Sequence, residues 1–331
     1  MNSFGKNYRV QIFGQSHSEL VGITLDGIPP GIEIAPEDFT EDLERRKPGA
    51  KATTPRKEAD APLIKTGVFN GRSAGSPLTI FFENNNTRSG DYEKHHAFPR
   101  PGHADFVATE KFKGFEDYRG GGHFSGRLTV CLVAAGVVAK KIIQHYLSGR
   151  EVQFETRILE VGGEQDIEKG IDKAVQAKDS IGGIIECTVR NLPVGLGEPF
   201  FDSVESVISH LVFAVPAIKG IEFGSGFAAA RMFGSEHNDA ILDSSGKTAT
   251  NNAGGITGGI TNGNDIVFRV VVKPTSSTPK VQETFNRESG KVEAFSVKGR
   301  HDLCIALRAP VVIEAAAAIG IADLLMESGI R

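Results

Sequence analysis

The chain has 331 residues, of which 40% are hydrophobic and 24% are charged, and its formal net charge at pH 7 is −4. These values are ordinary for a water-soluble globular protein, and they exclude an overall positive field for binding a nucleic-acid backbone. Cys131, Cys187 and Cys304 are too far apart for a disulfide framework or a CxxC metal site. The N-terminus lacks the apolar core of a signal peptide, and no apolar run is long enough to span a membrane. We therefore expect a cytoplasmic protein with no nucleic-acid or membrane partner.

The first part of the chain is predicted to consist mainly of strands. Residues 8–26 fit two short strands around a polar turn, and residues 63–82 contain further strand-like apolar runs. Between them, residues 36–47 fit a short helix, which places Arg45 and Arg46 at its C-terminal end. The polar stretch that follows the last of these strands has no periodicity, which is typical of a functional loop.

Two later segments, residues 127–146 and 311–326, fit helices that are apolar on nearly all sides, and we expect both to be buried in the centre of the fold. The other elements predicted here are a strand pair in residues 181–192, an amphipathic helix over 204–212 and a strand over 266–272. Strands and helices alternate irregularly, and no linker or repeat divides the chain. The expected fold class is α+β, with antiparallel sheets around buried helices in a single domain of residues 1–331.

Basic residues and histidines occur together in loops that contain glycine or proline. The members of this set are His17, Arg45, Arg46, Arg100, His103, His123, Arg127, Lys273, Arg300 and His301. Arginine binds phosphate and carboxylate with two parallel hydrogen bonds, and histidine transfers protons near neutral pH. Ser125 and Arg127 also stand at the start of a buried helix, where backbone N–H groups favour an anion. The set predicts a site for a multiply anionic small molecule, whereas Arg45 and Arg46 taken alone fit a simple interaction with the helix dipole.

Two partial motifs are set aside. Residues 224–229 match GxGxxA, but no acidic residue follows convincingly at the spacing of a dinucleotide site, so a turn is the better interpretation. Residues 246–248 resemble the end of a phosphate loop whose earlier glycine is missing. The remaining single histidines, His145, His210 and His237, are interpreted as structural.

Ten short motifs, in this order, closely resemble those of the chorismate synthase family over nearly the whole chain. They lie at residues 13–17, 26–31, 45–49, 100–105, 117–122, 195–199, 253–256, 258–260, 273–277 and 299–302. The resemblance implies a fold of two antiparallel sheets that sandwich central helices, assembled as a homotetramer. It also implies the last common step of aromatic amino acid biosynthesis by the shikimate pathway. In that step, 5-enolpyruvylshikimate 3-phosphate loses phosphate and a ring hydrogen by anti-1,4-elimination to give chorismate, with reduced FMN and no net redox change.

The resemblance further implies roles for individual residues. The implied catalytic residues are His17 as the acid for the leaving phosphate, His103 as the histidine that holds or protonates the reduced flavin, and Asp302 as a relay. Substrate binding is implied for Arg45, Arg46, Arg56 and Arg127. Contacts to FMN are implied for His123, Phe124, Ser125, Ala217, Gly258, Lys273, Thr275, Ser276, Ser277 and Arg300. No metal is implied.

The chain departs from the commoner family pattern beside several of these residues. The departures are Gln15, Ser18, His123, Phe124, Leu128 and Leu303. They affect local geometry and the flavin contacts at positions 123 and 124 rather than the reaction. Because no segment remains for a reductase domain, we expect an external flavin reductant, and direct use of NADPH by this chain stays open.

Two other functions use the same clusters of residues. A flavin oxidoreductase with net electron transfer would oxidise its flavin in each turnover, whereas the lyase leaves the flavin reduced. A non-enzymatic polyanion-binding module would bind RNA or heparin with steep salt dependence and would be indifferent to flavin. The negative net charge makes this third function the weakest of the three.

Overall fold

The computed structural model describes residues 2–49, 51–54, 58–86, 96–297 and 301–330. The strands are β1 (Ser3–Phe4), β2 (Arg9–Gly14), β3 (Leu20–Asp26), β4 (Leu63–Thr66), β5 (Val68–Phe69), β6 (Arg72–Ser73), β7 (Leu78–Glu83), β8 (Gln153–Val161), β9 (Gly183–Arg190), β10 (Ile218–Phe223), β11 (Ile256–Thr257), β12 (Ile260–Thr261), β13 (Ile266–Val272), β14 (Gln282–Asn286) and β15 (Lys291–Phe295). The α-helices are α1 (Thr40–Arg46), α2 (Asp105–Phe112), α3 (Thr129–Tyr146), α4 (Ile167–Ala177), α5 (Val204–Phe213), α6 (Gly234–His237) and α7 (Pro310–Ser328).

The N-terminal strands form an antiparallel sheet in the order β1-β2-β3-β7-β4. The predicted strand pair in residues 8–26 is confirmed as β2 and β3, and their pairing leaves residues 15–19 as the loop that carries His17. In β3 and β7 the residues of one face are fully buried, as expected when successive side chains of a strand point to opposite sides. This buried face packs against α3.

The second sheet is also antiparallel, in the order β10-β13-β9-β8. The predicted strand pair in residues 181–192 is wrong, because this segment forms the single strand β9, which pairs with β8 and β13. Neighbouring backbones approach its first residues closely. A Cβ atom at Gly182 would lie 2.5 Å from the carbonyl oxygen of Val272, and one at Gly183 would lie 2.7 Å from that of Glu160. The two glycines therefore permit close strand packing and do not form a turn.

Helices α3 and α7 lie between the two sheets, α3 against the first sheet and α7 against the second. Both are buried on nearly all sides, which confirms the prediction for the two apolar segments and the α+β class with antiparallel sheets around buried helices. The helices cross closely, since a Cβ atom at Gly136 would lie 2.4 Å from the Cβ of Ala315. The buried side chains of both sheets and both helices form one continuous hydrophobic cluster.

Several smaller elements were absent from the sequence-based prediction, namely α2, α4, β8, β10 and the hairpin β14–β15. Helix α2 illustrates the reason, because Ala108 is its one buried residue while Phe106 and Val107 are exposed. Its sequence therefore has no apolar stripe on one face, and periodicity does not reveal it. Among the described residues, no helix combines the length and the apolar composition that crossing a membrane requires.

The substitution Gly136→Ala is expected to lower the free energy of unfolding by about 1–3 kcal/mol, the usual cost of overpacking a core. The added methyl group would collide with Ala315, so α3 and α7 would have to separate. This loss should exceed the gain of about 1 kcal/mol that alanine brings as a better helix former. Urea unfolding followed by circular dichroism measures the change.

The matched control is Gly149→Ala, because a Cβ atom at Gly149 has no neighbour within 4 Å. This variant should unfold like the wild type. A Gly136→Ala variant as stable as the wild type would contradict the close crossing of the two helices.

Candidate active site

A cavity of about 750 Å³ lies where the N-terminal ends of α3 and α7 meet α5 and the segments 100–104 and 273–277. Its charged and polar wall includes Arg46, Asp60, Arg100, His103, Arg127, Lys273, Asp302 and Arg308. Its apolar wall includes Phe4, Val10, Ile12, Leu132, Leu211 and Val312. This volume is typical of a small-molecule site, and the two walls suit a ligand that combines a flat apolar part with anionic groups.

Two arginines of the wall share one carboxylate. Arg46 and Arg127 are nearly fully buried, and Arg46 Nη2 donates a hydrogen bond of 2.5 Å to Asp60 Oδ2 while Arg127 Nη1 donates to Asp60 Oδ1. Burial alone would raise the pKa of Asp60, but the two guanidinium groups outweigh burial and hold this pKa below its ordinary value. One ionised carboxylate for two buried guanidinium groups leaves an excess of positive charge in the wall.

Arg46 carries the clearest sign of that excess. Burial lowers the pKa of Arg46 to about 10, and repulsion from Arg308 and Arg127 acts in the same direction against the attraction of Asp60. The Nε atom of Arg46 is buried and has no hydrogen-bond partner among the residues that the structure describes. An unsatisfied buried donor costs roughly 1–3 kcal/mol, and more when the group is charged. An anionic ligand would satisfy the donor and neutralise the charge.

Arg127 is fixed by the end of β7 as well as by Asp60. Its Nε donates to Asn84 Oδ1 at 2.8 Å, and its Nη2 donates to the carbonyl oxygen of Glu83 at 3.0 Å. Ser125 caps the short turn that leads into α3 by accepting from the backbone N–H of Arg127 at 3.3 Å. The predicted position of Ser125 and Arg127 at the start of a buried helix is therefore confirmed, and the positive end of the helix dipole faces the cavity.

The two predicted catalytic histidines each lie against a turn of three consecutive glycines. Gly120, Gly121 and Gly122 all have positive φ, which non-glycine residues rarely adopt. A Cβ atom at Gly120 would lie 2.1 Å from Cε1 of His17, and one at Gly121 would lie 3.2 Å from Cε1 of His103. Because adjacent Cα atoms are about 3.8 Å apart, the two imidazole rings are no more than about 12 Å apart. His103 lines the cavity directly, whereas His17 lies behind Gly120, which lines it.

Asp302, the predicted relay, lies in the wall and is almost fully buried. Its carboxylate accepts from the backbone N–H of Thr54 at 2.8 Å and from Arg308 Nη1 at 3.0 Å. Arg308 Nε in turn donates to the carbonyl oxygen of Arg46 at 3.0 Å. Arg308, which the sequence analysis did not select, therefore links the relay to the arginine pair.

The predicted FMN-binding segment 273–277 forms the wall next to His103. Lys273 Nζ donates to Ser276 Oγ at 2.7 Å, and Ser276 Oγ donates to the carbonyl oxygen of Gly102 at 2.7 Å. Burial lowers the pKa of Lys273, and the charge of Lys219 lowers it further. These bonds hold the segment that carries Lys273 against the segment that carries His103.

Two neighbours of this segment complete the predicted cofactor wall. The backbone N–H of Lys273 donates to the carbonyl oxygen of Ala217 at 2.9 Å, which brings Ala217 to the cavity. Thr275 Oγ1 is buried in the wall and has no hydrogen-bond partner among the described residues. An unpaired hydroxyl that lines a cavity fits a site completed by a polar ligand group.

His123 and Phe124, at which the chain departs from the commoner family pattern, also line the cavity. His123 Nδ1 donates to the carbonyl oxygen of Gly14 at 2.8 Å, and its Nε2 lies 3.1 Å from Asn2 Oδ1. The N-terminal strands therefore hold this histidine at the cavity wall, and the ring of Phe124 lies 6.3 Å from that of Phe112.

Not every predicted site residue lies in this wall. Arg45 instead donates to Glu314 at 2.5 and 2.8 Å and to Asp42 at 3.0 Å, which ties α1 to α7. Gly258 is exposed in the turn between β11 and β12 and is not among the lining residues. Arg56 and Arg300 lie outside the described residues.

Sequence reasoning missed several residues that the fold brings to the site, namely Asp60, Asp105, Arg308 and His210. Asp60 lies in a polar segment with no motif signal, and its partnership with Arg46 and Arg127 is visible only in three dimensions. Asp105 is the last residue of the family motif at residues 100–105, and this motif is the sequence feature that points to it. His210, interpreted as structural, lines the apolar part of the cavity beside the ring of Phe4 at 5.3 Å.

Comparisons with known proteins agree along nearly the whole chain. The family model for chorismate synthase matches residues 8–326. The chorismate synthase of Chitinophaga pinensis is 68% identical over 326 residues, which cover 98% of this chain and 97% of that protein. That of Dehalococcoides mccartyi is 42% identical over 359 residues, covering 99% and 98%. A crystal structure of chorismate synthase superposes with a TM-score of 0.74 at 26% identity, over 98% of this chain and 93% of the other.

The substitution Asp60→Asn is expected to lower the free energy of unfolding at neutral pH by about 3–5 kcal/mol, because it leaves two buried guanidinium groups without a carboxylate. The pKa of this carboxyl is lower in the folded protein than in the unfolded chain. Its contribution is therefore complete above pH of about 4, the ordinary value, and is lost as the pH falls through the folded value. The stability difference between wild type and variant should shrink over that interval, which a pH series of urea unfolding measures.

The matched control is Asp26→Asn, which removes a carboxylate from the more exposed pair with Arg9. This change should cost no more than about 1 kcal/mol. A difference between wild type and Asp60→Asn that stays constant down to pH of about 3 would show that the Asp60 charge does not stabilise the arginine pair.

Proposed function

Since the chain belongs to the chorismate synthase family, we propose that it converts 5-enolpyruvylshikimate 3-phosphate into chorismate by anti-1,4-elimination with bound reduced FMN. Membership of this family makes the chain an enzyme, a carbon–oxygen lyase of aromatic amino acid biosynthesis. The observation that carries the finer proposal is the buried pair Arg46 and Arg127 with a single carboxylate between them. That pair gives an acidic protein a cavity with excess positive charge.

The proposed substrate carries two carboxylates and a phosphate, so its binding requires several cations in one cavity. Arg46 and Arg127 supply two of them, and the Nε of Arg46, which has no partner in the part of the chain that the structure describes, is a donor ready for an anionic oxygen. The N-terminal ends of α3 and α7 at the cavity add the partial positive charge of the helix dipole. Arg45 is engaged by Glu314 in this structure, so Arg46 and Arg127 are the stronger of the predicted substrate ligands.

The leaving phosphate and the ring hydrogen each need a proton-handling group. A phosphate monoester has a second pKa near 6, so a protonated imidazole can stabilise the charge that develops as the C–O bond breaks. We assign this role to His17, which lies behind Gly120. His103 presents its ring to the cavity on the other side of the glycine turn and is assigned to the flavin. Asp302 is assigned as the relay, held in place by Arg308.

The residues of the cavity fit FMN. Lys273, Ser276 and Ser277 offer a cation and two hydroxyl groups, and the apolar wall offers a surface for a flat ring. Thr275 Oγ1 is a buried hydroxyl that has no partner within the described ranges. When bound, reduced FMN would supply electron density for the elimination and accept the ring hydrogen. The chain itself would orient the two ligands and exclude water, since the apolar wall of the cavity, including Val10, Leu132 and Val312, belongs to the continuous core.

The remaining parts of the proposal concern assembly and surroundings. Large aromatic side chains are exposed outside the cavity, including Phe200, Phe201, Phe227 and Phe233 at 77–91% exposure. Exposed aromatic residues of this kind support assembly, and we propose a homotetramer. We also propose a single domain over residues 1–331, a cytoplasmic location and an external source of reduced flavin. The single domain is supported by the hydrophobic cluster that both sheets share.

The proposed function is tested by incubating the protein under nitrogen with reduced FMN and 5-enolpyruvylshikimate 3-phosphate. Phosphate and chorismate are expected in equal amounts, while the flavin stays reduced. A phosphate assay measures the first product, and the absorbance of chorismate measures the second. No chorismate should form when FMN is left out. Absence of product with FMN would refute the proposal, and flavin oxidised in proportion to turnover would favour an oxidoreductase instead.

The variants His17→Ala and His103→Ala are each expected to lower kcat by about 10²-fold or more, the usual scale of general acid–base catalysis. Both should remain folded, as judged by circular dichroism, because each removes one polar ring from the edge of the core. His145→Ala is the matched control, since His145 is exposed at the end of α3. Wild-type turnover in either test variant would remove that histidine from the mechanism.

A further inference from the structure

Asp105, the first residue of α2, is mostly buried beside the cavity and has no role in the function proposed above. Its carboxylate is a point of convergence for four donors on two residues. Oδ2 accepts from the backbone N–H of Arg100 at 3.0 Å and from Arg100 Nε at 2.7 Å. Oδ1 accepts from Arg100 Nη2 at 2.8 Å and lies 2.6 Å from His103 Nδ1. A carboxylate with these contacts fixes the positions of the Arg100 and His103 side chains.

The contact with His103 selects one of the two neutral forms of the imidazole. Burial alone would raise the pKa of Asp105, but hydrogen bonds from Arg100 and His103 hold it well below its ordinary value, so the group is a carboxylate. An ionised carboxylate accepts hydrogen bonds and donates none. Arg100 Nη2 also lies 3.1 Å from Nδ1, but this contact is longer than the 2.6 Å contact with the carboxylate, which places the hydrogen of neutral His103 on Nδ1. Nε2 then bears the lone pair, and it has no hydrogen-bond partner among the described residues.

The position of the His103 ring indicates which of its nitrogens is available to a ligand. His103 lines the cavity, and its Nε2 would lie 3.3 Å from a Cβ atom at Gly121, the neighbour of the lining residue Gly120. Because Nδ1 is engaged by Asp105, Nε2 is the ring nitrogen left for a ligand. The same carboxylate holds the Arg100 fork, whose remaining Nη1 donates to Ser277 Oγ at 3.0 Å. Asp105 thus fixes both His103 and one hydroxyl of segment 273–277.

We propose that Asp105 is a positioning residue that keeps the hydrogen of neutral His103 on Nδ1 and presents Nε2 to the ligand. The assignment rests on the proposed function only in that His103 acts on the bound ligand. A purely structural role for Asp105, as an acidic residue in the first turn of α2, would affect stability without selecting a form of the imidazole.

The substitution Asp105→Asn should reverse the form of the imidazole. The side-chain amide oxygen replaces one carboxylate oxygen and the NH₂ group replaces the other. Two donors of Arg100 converge on the position of Oδ2 and one on that of Oδ1, so the amide oxygen is expected at the position of Oδ2. The NH₂ group then faces His103 Nδ1 and donates to it, which moves the imidazole hydrogen to Nε2. The change is isosteric, so the protein should fold.

The test is the ¹⁵N NMR spectrum of the protein labelled on histidine, with the His103 signals assigned from His103→Gln. At a pH where the imidazole is neutral, wild-type Nδ1 should appear protonated and Nε2 unprotonated, and Asp105→Asn should show the reverse. The steady-state kinetics of Asp105→Asn should show kcat lowered by about 10²-fold with a much smaller change in KM. Asp105→Glu, which keeps the carboxylate, should retain the wild-type form of the imidazole and recover part of kcat.

Asp26→Asn is the matched control, because it removes a carboxylate from another arginine fork without touching His103. Its His103 signals should equal those of the wild type. A wild-type spectrum with the hydrogen on Nε2, or an Asp105→Asn spectrum equal to that of the wild type, would overturn the assignment. NMR reads the imidazole without turnover. If the two spectra show the reversal but the wild type forms no chorismate, the proposed function is refuted and the role of Asp105 stands.

Discussion

Two buried guanidinium groups, those of Arg46 and Arg127, share the single carboxylate of Asp60, and much of the site depends on that shortage of negative charge. The chain is acidic as a whole, so the positive charge of the cavity is local and comes from two guanidinium groups that share one carboxylate. The N-terminal ends of α3 and α7 add positive potential, and the Nε of Arg46 has no hydrogen-bond partner among the residues that the structure describes. An anionic ligand would therefore stabilise the folded state as well as occupy the cavity, because binding to the native state alone shifts the unfolding equilibrium.

The second constraint is the close approach of separate segments at the glycine turn of residues 120–122. Because these residues have no Cβ atoms, His17 can lie against one glycine and His103 against the next. Asp105 then ties His103 to Arg100, which reaches segment 273–277. Segments 100–105 and 273–277, which are far apart in sequence, are fixed to each other by these hydrogen bonds.

The elements that the sequence predicted correctly are those with a strong local signal. The segments that form α3 and α7 are apolar on nearly all sides, and β3 and β13 are short, mainly apolar runs. The strand β9 was misread as a pair, since nothing local distinguishes a glycine in a turn from one that allows a neighbouring strand to approach. Helix α2 was missed because it has no apolar stripe. Local patterns thus identify elements whose own residues give a strong apolar signal. They fail where contacts with segments distant in sequence determine the structure.

The sequence by itself determined the family, the α+β class with buried central helices, and a set of site residues most of which line the cavity, because short motifs and apolar periodicity are properties of neighbouring positions. Only the tertiary structure decided how those residues are paired. Asp60 lies between two arginines from different elements, and Asp105 fixes His103 through an arginine fork. Arg45 forms an ion pair with Glu314, a residue of α7. Such pairings join positions far apart in the chain, and the free energy of a buried charge depends on what surrounds it after folding.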